Sequence, residues 1–489
     1  MSSVAMSHRL GDLTDWFSGG TPSKKKPEYW GEDIPWISAS SMGGSRYFDS
    51  DLKITTEGLE AGSRLAPKGS ILLLVRGSTL HKRIPVGIAE REVAFNQDVK
   101  AIRVKPELIA GQVTDELYLY YWLKANEQLL LEMVEHTGIG AGKLDTKRLQ
   151  NLEIELPPWH EQRKIVTTAT ALDEKEILNS HINQTLEQMA QAIFKSWFVD
   201  FEPVKAKIAA LEAGGSEEDA LLAAMQAVSG KGEPELTRLQ AEQPEQYTEL
   251  RATAELFPSA MQDSELGEIP EGWESGLLND ICEFQNGYAF KSKDWSDSGF
   301  AVVKIGSVKP AFVDIQSCSY VADKTIAGLE RFELFPGDLL VGMTGYPGET
   351  GLVPKTENRV FLNQRVGRLK PKQNNLKALL YCNVRDPDFK QYVEGQAHGS
   401  AQANVSGKAI GHYPITIPTG SVVEQFSALI DPLLQQKLNL NAEAMSLAIT
   451  RDTLLPKLLS GEVSAPEIKD PSQEASRHSD IGDGVAFDE

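Results

Sequence analysis

The stretch that decides the fold begins His160-Glu-Gln-Arg-Lys-Ile165 and ends Lys195-Ser-Trp-Phe-Val-Asp-Phe201. It contains neither proline nor glycine, and apolar residues recur in it seven positions apart on two registers. Seven-residue spacing predicts a long helix that packs against a second helix. The predicted seam of this central helix consists of Ile165, Leu172, Ile182, Leu186, Met189 and Ile193.

One polar residue, Asn179, lies on the apolar register of the central helix. Two interpretations stand equally at this point. The position is either a solvated gap in the seam or a polar contact that fixes the register of the two helices.

A second helical run, the distal helix, is predicted within residues 424–459 of the same chain. Its Pro432 either starts the main helix or kinks it. The two long helices together predict a two-stranded stalk, and antiparallel pairing is preferred. The predicted seam of the distal helix consists of Phe426, Leu433, Leu440, Leu447 and Leu454.

The chain repeats itself once, in order and with little drift. Gly69 has its counterpart 268 residues later at Gly337, and the Asn96-Gln97 pair returns 267 residues later as Asn363-Gln364. Residues 138–157 match residues 399–418 at an offset of 261. Each repeat therefore consists of a globular domain followed by a long helix.

The repeats predict an α+β fold. Two repeated globular domains are separated by a pair of long coiled-coil-like helices, in a pseudo-two-fold arrangement. Short β-rich runs occur at 71–75, 86–89, 99–104 and 151–156, with counterparts at 339–343 and 412–417. A helical patch is predicted at 116–135.

Composition suggests six segments. They are a first domain (1–157), a central helical spacer (158–202), an acidic, partly helical linker (203–272), a second domain (273–418), a distal helical spacer (419–461) and a disordered acidic tail (462–489). Within the linker, Ser216 is predicted to cap a short helix that continues to Val228.

Charge is distributed unevenly along the chain. The formal net charge is −20, but residues 202–274 carry 16 acids and 5 bases, and residues 461–489 carry 8 acids and 2 bases. The remainder is nearly neutral, so local basic faces remain compatible with a nucleic-acid partner. The cysteines lack metal-like spacing, and the sequence has no membrane span or signal-peptide core, so a cytoplasmic location is expected.

Polar and basic residues collect in loops of both repeats. Bases suit contacts with phosphate, and Asn, Gln, Arg and Ser suit contacts with base edges. An ordinary solvated loop is the alternative, and Asn96-Gln97 and Asn363-Gln364 either bind bases or, slightly favoured, support a turn. The candidate DNA-binding residues are Lys24, Lys25, Lys26, Tyr29, Arg76, Ser78, His81, Lys82, Arg83 and Lys143 in the first repeat, and Lys291, Lys293, Thr344, Tyr346, Gln402, Asn404 and Lys408 in the second.

The search for catalytic and metal-binding motifs is negative. Residues 138–143 resemble a phosphate-binding loop, but the spacing is wrong and Leu144 stands where a Ser or Thr would bind magnesium. The acidic residues of Asp173-Glu-Lys175 are expected to be solvated surface of the helix rather than nuclease carboxylates. No catalytic residue and no metal ligand is predicted.

The sequence resembles the specificity subunits of type I restriction–modification enzymes over almost its whole length. The most specific stretch is Leu156-Pro-Pro-Trp-His-Glu-Gln-Arg-Lys-Ile165. The other three are Leu186-Glu-Gln-Met-Ala-Gln-Ala-Ile-Phe-Lys-Ser-Trp-Phe-Val-Asp-Phe201, Leu266-Gly-Glu-Ile-Pro-Glu-Gly-Trp273 and Arg451-Asp-Thr-Leu-Leu-Pro-Lys-Leu-Leu-Ser-Gly461.

The resemblance implies two target recognition domains that read a bipartite double-stranded DNA target. It implies no catalytic centre and no cofactor bound by this chain. Two modification (methyltransferase) subunits carrying S-adenosylmethionine, and up to two restriction (motor-nuclease) subunits using ATP and Mg, would complete the complex. The alternatives are a stand-alone DNA-modifying enzyme with an unrecognised motif and a repeat scaffold protein.

Overall fold

The structure is a computed structural model that describes residues 6–136, 140–397 and 403–465. The chain forms two compact units. Of the described residues, those up to 176 and those from 446 onward form the first unit, and those from 177 to 445 form the second. Each unit therefore contains one globular domain together with part of the central and part of the distal helix.

The first domain contains a five-stranded sheet and a four-stranded sheet. In sheet order, the strands are Thr14–Ser18, Val99–Val104, Ile71–Leu74, Val86–Ala89 and Arg46–Tyr47 in the former, and Lys53–Ile54, Trp30–Ile37, Val93–Phe95 and Leu65–Ala66 in the latter. Smaller sheets join Val134–His136, Gly142–Leu144 and Arg76–Gly77, and Met6–Arg9 with Glu153–Leu156. The α-helices are Leu10–Leu13, Thr56–Gly62, Pro106–Ala110, Glu116–Ala125, Glu127–Glu132 and Thr146–Gln150, with 3-10 turns at Pro27–Tyr29 and Ser78–His81.

The second domain has two five-stranded sheets. In sheet order, their strands are Cys282–Asn286, Val366–Pro371, Leu339–Gly342, Thr350–Leu352 and Ala311–Phe312, and Trp295–Ser296, Ser319–Val321, Phe300–Val303, Val360–Leu362 and Glu333–Leu334. Glu274–Leu277 pairs with Pro414–Ile417. The α-helices are Leu278–Ile281, Lys377–Arg385, Pro387–Gly395 and Gly407–Gly411, and 3-10 turns lie at Ser292–Asp294, Ile305–Ser307, Ile315–Ser317, Asp323–Thr325, Glu330–Phe332 and Asn374–Leu376.

The two domains share one topology, which confirms the predicted α+β repeat. In each domain, one buried strand lies at the centre of a five-stranded sheet, between two antiparallel neighbours. These strands are Ile71–Leu74, shortly after Gly69, and Leu339–Gly342, shortly after Gly337. The last strand of that sheet pairs in parallel in both domains. Gly69 and Gly337 both have φ of +85°, a left-handed conformation that favours glycine, so the recurrence of glycine at this turn has a backbone cause.

Several predicted elements match the observed bounds. Strands occupy 86–89 and 99–104, as predicted. The predicted helix at 116–135 is divided at Asn126, and its last residues instead form the strand Val134–His136. Asp115 caps the first of these helices, because its carboxylate accepts a 2.8 Å hydrogen bond from the Tyr118 N–H.

The central and distal helices span Trp159–Phe194 and Gly420–Leu459. The distal helix runs through Pro432, so it does not begin there. In the second unit, Asn179 contacts Glu443 and Glu187 contacts Lys437. Residue numbers rise along one helix as they fall along the other, which confirms the preferred antiparallel pairing.

The apolar phase predicted for the seam is wrong in part. Met189 is 47% exposed, so it does not lie between the helices. Ile165, Phe426 and Leu440 are buried. The remaining predicted seam residues are half-buried: Leu172, Ile182, Leu186, Ile193, Leu433, Leu447 and Leu454.

Polar residues also make buried contacts between the helices, beside apolar ones such as Phe194 with Phe426. Asn179 is 0% exposed, and its amide donates a 2.9 Å hydrogen bond to Glu443, so the solvated-gap interpretation is wrong. Asp173 was expected on a solvated surface, but its side chain is 0% exposed and pairs with Arg451. The expectation failed because the compensating cation comes from a distant part of the chain.

Each unit contains a buried ionic cluster that joins the central helix to the distal helix. The first cluster consists of Tyr121, Asp173, Glu176 and Arg451. Arg451 pairs with both carboxylates, and the Tyr121 hydroxyl donates a 2.9 Å hydrogen bond to Asp173.

The second cluster consists of Glu187, Tyr381, Arg385 and Lys437. Glu187 pairs with Lys437 and Arg385 and accepts a hydrogen bond from the Tyr381 hydroxyl. The Lys437 ammonium also lies 2.8 Å from the Tyr381 oxygen. All of these contacts lie within the second unit.

Apolar packing joins the ends of the helices to the domain cores. In the first unit, Ile165, Val166 and Leu455 belong to the core of the first domain. In the second unit, the Phe198 ring lies 4.8 Å from that of Phe426 and 5.7 Å from that of Trp273. The helix ends are therefore part of each core.

The segment predicted as a partly helical linker is richer in helix than expected. A π-helical turn at Lys195–Val199 ends the central helix, and the helices Glu202–Glu212, Glu217–Ser229, Glu233–Glu242 and Pro244–Glu255 follow, then a hairpin of Met261–Ser264 and Gly267–Pro270. The Ser216 cap is confirmed as a capping box with Asp219. Met225, Leu236 and Ala254 belong to a small core within this segment. Residues 466–489 of the predicted disordered tail lie outside the described residues.

We expect Phe426→Ala to lower the free energy of unfolding by about 3–5 kcal/mol, because its ring is 0% exposed and its removal would leave a cavity. Leu429→Ala is the matched control on the same helix, since Leu429 is 40% exposed, and it should cost about 1 kcal/mol or less. Urea titrations followed by circular dichroism measure both. Equal losses would contradict this account of the core.

We expect acid to weaken the second unit through Glu187. Burial favours a higher pKa for this carboxyl, but the neighbouring Lys437 and Arg385 outweigh it and lower the pKa below the ordinary 4.5. Such a group contributes stability that is complete above the unfolded-state pKa and is lost as pH falls through the folded-state value. Below pH 4.5, the free energy of unfolding should fall more steeply for the wild type than for Glu187→Gln.

Urea titrations between pH 3 and 7, a range of about four units around the ordinary carboxyl pKa, provide the measurement. Glu394→Gln, at an exposed position of the second unit, is the control and should keep the wild-type slope. An unchanged slope in Glu187→Gln would show that the second cluster does not hold this carboxylate in its charged form.

Candidate nucleic-acid interface

In the first domain, a turn and a short strand bring distant basic residues together. We call residues 76–83 and 140–144 the first loop pair. Arg76 lies opposite Lys143 in antiparallel register, and the Leu144 N–H donates a 2.9 Å hydrogen bond to the Val75 carbonyl. The His81 ring nitrogen Nε2 lies 3.0 Å from the Gly140 carbonyl oxygen. Ser78 lies in the same turn as His81, so four of the predicted residues share one surface: Arg76, Ser78, His81 and Lys143.

This surface carries uncompensated positive charge. Arg76, Lys82 and Arg83 are exposed, and no carboxylate in the described parts of the chain lies within 4 Å of their charged groups. The pKa of the nearby Lys100 is lowered, first by burial and then by the Arg76 guanidinium. Such a surface suits an anionic partner.

The second domain builds the same arrangement with different side chains. We call residues 343–349 and 403–408 the second loop pair. Thr344 lies opposite Asn404, and the Thr344 hydroxyl donates a 2.8 Å hydrogen bond to the Asn404 side-chain oxygen. The Val405 N–H donates to the Met343 carbonyl at 2.9 Å, which repeats the Leu144–Val75 hydrogen bond of the first domain.

Tyr346 stands at the tip of the second loop pair with 71% of its surface exposed. Its turn is braced, because the Gly342 N–H donates to the Glu349 carbonyl at 2.8 Å and the Gly348 N–H donates to the Gly342 carbonyl at 3.0 Å. The backbone thus holds an aromatic ring in solvent at a defined place. Asn404 and Lys408 line an open depression beside Asn286.

A second group of predicted residues lies on the loop after the first strand of each five-stranded sheet. The Gly20 N–H donates to the Phe95 carbonyl and the Tyr288 N–H to the Leu362 carbonyl, both at 2.9 Å and at equivalent places in the repeat. Lys26 donates a 2.9 Å hydrogen bond to the Tyr29 hydroxyl, which raises the pKa of Lys26. The other predicted lysines on these loops are exposed: Lys24, Lys25, Lys291 and Lys293.

Lys100 connects the two groups in the first domain, and the sequence analysis missed it. It pairs in register with Ser18, donates a hydrogen bond to the Ser18 hydroxyl, and lies near Arg76. Lys147 was also missed, although the 261-residue offset places it at the position of Lys408, and both are exposed. Gln402 lies outside the described residues.

Asn96 and Asn363 support turns, the role that was slightly favoured. Each is buried, and its side-chain oxygen accepts a hydrogen bond from the N–H two residues later, at 3.1 Å for Asp98 and 3.3 Å for Arg365. Gln97 lies beside this turn, where its side-chain oxygen accepts a 2.8 Å hydrogen bond from the Thr21 hydroxyl.

The described ranges offer no group of three or more His, Cys, Asp or Glu side chains arranged to bind a metal ion. The three cysteines are free and buried, and burial raises the pKa of Cys318 to about 11 and that of Cys282 to about 12. Among the described helices, none is long and apolar enough to cross a membrane.

Comparison with known proteins places the chain in a family. The profile of the type I restriction modification DNA specificity domain matches residues 5–188 and again residues 270–443. The HindI specificity subunit of Haemophilus influenzae is 33% identical over 369 residues, which cover 71% of this chain and 77% of that protein. The MjaIX specificity subunit of Methanocaldococcus jannaschii is 24% identical over 474 residues, covering 94% of each chain.

Among solved structures, the type I restriction–modification S subunit from M. genitalium aligns over 95% of this chain and 96% of its own, with a TM-score of 0.44 and 16% identity. Each profile match covers one copy of the internal repeat, from the globular domain into the long helix that follows it. The chain belongs to the type I restriction–modification DNA specificity family.

Proposed function

We propose that the chain reads a bipartite double-stranded DNA target, one half with each domain. The observation that carries this proposal is the recurrence of the loop pair at one place in a shared topology, with different exposed chemistry in each copy. The first loop pair presents Arg76, Lys82 and Arg83, and the second presents Tyr346, Asn404 and Lys408. A common frame with different side chains suits two readers of different sequences.

The distribution of charge along the chain agrees with DNA binding by the loop pairs. Most of the excess of acids lies outside the loop pairs, in residues 202–274 and 461–489, while the first loop pair presents three exposed cations, Arg76, Lys82 and Arg83. Phosphate contacts from lysines would position each domain, and arginine, asparagine and tyrosine side chains would select bases.

The central helix also offers a surface for partner subunits. Leu178 and Met189 are 51% and 47% exposed, and Ile182 lies half-buried between them at helical spacing. Exposed apolar stripes of this kind mark protein contacts. We assign this stripe to two modification subunits, which would carry S-adenosylmethionine. Up to two restriction subunits using ATP and Mg would join them in the cytoplasm, and this chain would carry no catalytic centre.

We expect Arg83→Ala to change base preference in one half of the target only, with a cost of about 1–3 kcal/mol if Arg83 makes a bidentate base contact. Tyr346→Ala should affect the other half only. Arg91→Ala is the control, because Arg91 is an exposed arginine of the first domain outside the loop pair. Binding of the assembled complex to targets mutated in either half measures the effects. A change in both halves from Arg83→Ala would contradict the division.

We expect matched insertions in both helices to lengthen the gap between the half-sites. Four helical residues after Glu176 and four after Met445 would leave each buried ionic cluster intact within its unit. They add about 6 Å and about 40° of rotation, which corresponds to one or two base pairs of right-handed DNA. Selection of targets by the assembled complex should return the same half-sites with this longer gap.

The insertion after Glu176 alone is the control. It would shift the first cluster out of register with the second, so assembly should fail. A doubly inserted chain that assembles and keeps the original gap would show that the helices do not set the spacing.

A further inference from the structure

The two buried ionic clusters occupy equivalent places in the repeat. Tyr121 and Tyr381 lie 260 residues apart on matching helices, both are 0–1% exposed, and each donates a hydrogen bond to the carboxylate of its cluster. On the long helices, Asp173 corresponds to Lys437 and Glu187 corresponds to Arg451, both at an offset of 264. The clusters are thus one site built twice.

The signs of charge are exchanged between the two copies of this site. In the first cluster, the helix that follows the first domain supplies the carboxylate of Asp173, and the other helix supplies Arg451. In the second cluster, the helix that follows the second domain supplies the cation of Lys437, and the other supplies Glu187. Consequently Asp173 and Glu187, the carboxylates of the two equivalent pairs, lie on the central helix, and their cations Arg451 and Lys437 lie on the distal helix.

This distribution separates correct from incorrect helix pairs. If a second central helix replaced the distal helix in the same register, Glu187 of that copy would take the place of Arg451 and meet Asp173. Two distal helices would likewise bring Lys437 against Arg451. The side chains of Asp173 and Lys437 are only 0% and 1% exposed, so like charges at these places could not be screened by water.

We propose that the two clusters form a pairing code that accepts one central and one distal helix and rejects two copies of the same helix. To fix the register of the two helices, each cluster needs only one pair of opposite charges, and either helix could carry the carboxylate. In both clusters the central helix carries the carboxylate and the distal helix carries the cation, and this common arrangement excludes pairing of the same helix from two copies of the chain. This code has a consequence that rests on the proposed function: two different domains, rather than two copies of one domain, read each target.

Charge exchange in the full-length chain tests the code. The half-inverted chain carries Asp173→Arg and Arg451→Asp in a Glu176→Gln background. Its first cluster still pairs opposite charges between the central and distal helices. However, two central helices would now also pair opposite charges at residues 173 and 187, and two distal helices would do so at residues 437 and 451. Adding Glu187→Lys, Lys437→Glu and Arg385→Gln inverts both clusters, so homotypic pairs again meet like charges. The wild type and the fully inverted chain should behave alike, and only the half-inverted chain should differ.

Ser180→Cys reports homotypic pairing, because residue 180 is exposed and lies midway between residues 173 and 187. The native cysteines are buried. Two central helices in this register would bring both copies of residue 180 within reach of a short bismaleimide. Each chain is refolded from urea, checked by circular dichroism, and cross-linked, and covalent dimers are quantified by mass spectrometry.

We expect the half-inverted chain to give at least tenfold more covalent dimer than the wild type or the fully inverted chain. Equal dimer yields in all three would overturn the pairing code. Inverting only the second cluster, with Arg385→Gln, provides an independent half-inverted chain that must give the same increase. The readout uses no DNA, so a negative result would leave the proposed reading of a bipartite target standing, and a failure of DNA reading would leave this result unaffected.

Discussion

Buried charge between the central and distal helices is the constraint on which the rest of the structure depends. Charged pairs taken out of water gain little net stability, yet losing one partner of a buried pair costs about 3–5 kcal/mol. The clusters around Asp173 and Glu187 therefore mainly select the register in which the two helices pair, because every shifted register leaves a carboxylate or a cation unpaired. Net stability comes from the apolar ends of the helices, where Phe198, Phe426 and Trp273 pack in the second unit.

This separation of roles explains how one frame can serve two different surfaces. The glycine turn, the buried central strand and the hydrogen bonds between the two loops are the same in both domains. The side chains at the loop tips differ, as Ser78 and Tyr346 show at equivalent places. Because the frame does not depend on the tips, their chemistry can change without loss of the fold.

The sequence predicted what local pattern and repetition determine. Strands at 86–89 and 99–104 follow from short runs rich in β-branched and apolar residues, and the Ser216 cap follows from its spacing to Asp219. The repeat offsets predicted equivalent loops, and the structure places Arg76 with Lys143 and Thr344 with Asn404 accordingly.

Long-range compensation could not be predicted in this way. Apolar spacing placed the exposed Met189 in the seam, whereas Asp173 and Asn179 are buried and Glu187 is half-buried, each with a partner about 250 residues or more away in the sequence. A charged residue is expected in water unless its partner is known. The basic loop surface was only partly predicted for a similar reason: Lys100 joins it through strand pairing with Ser18, which spacing along the chain does not reveal.

The central claim is that two domains in a fixed relation read two separate half-sites. Selection from randomised double-stranded DNA by the chain assembled with the proposed modification subunits tests this claim most directly. The account predicts two different conserved blocks separated by a gap of constant length and free sequence. A single contiguous block, or two blocks whose separation varies among selected molecules, would contradict it.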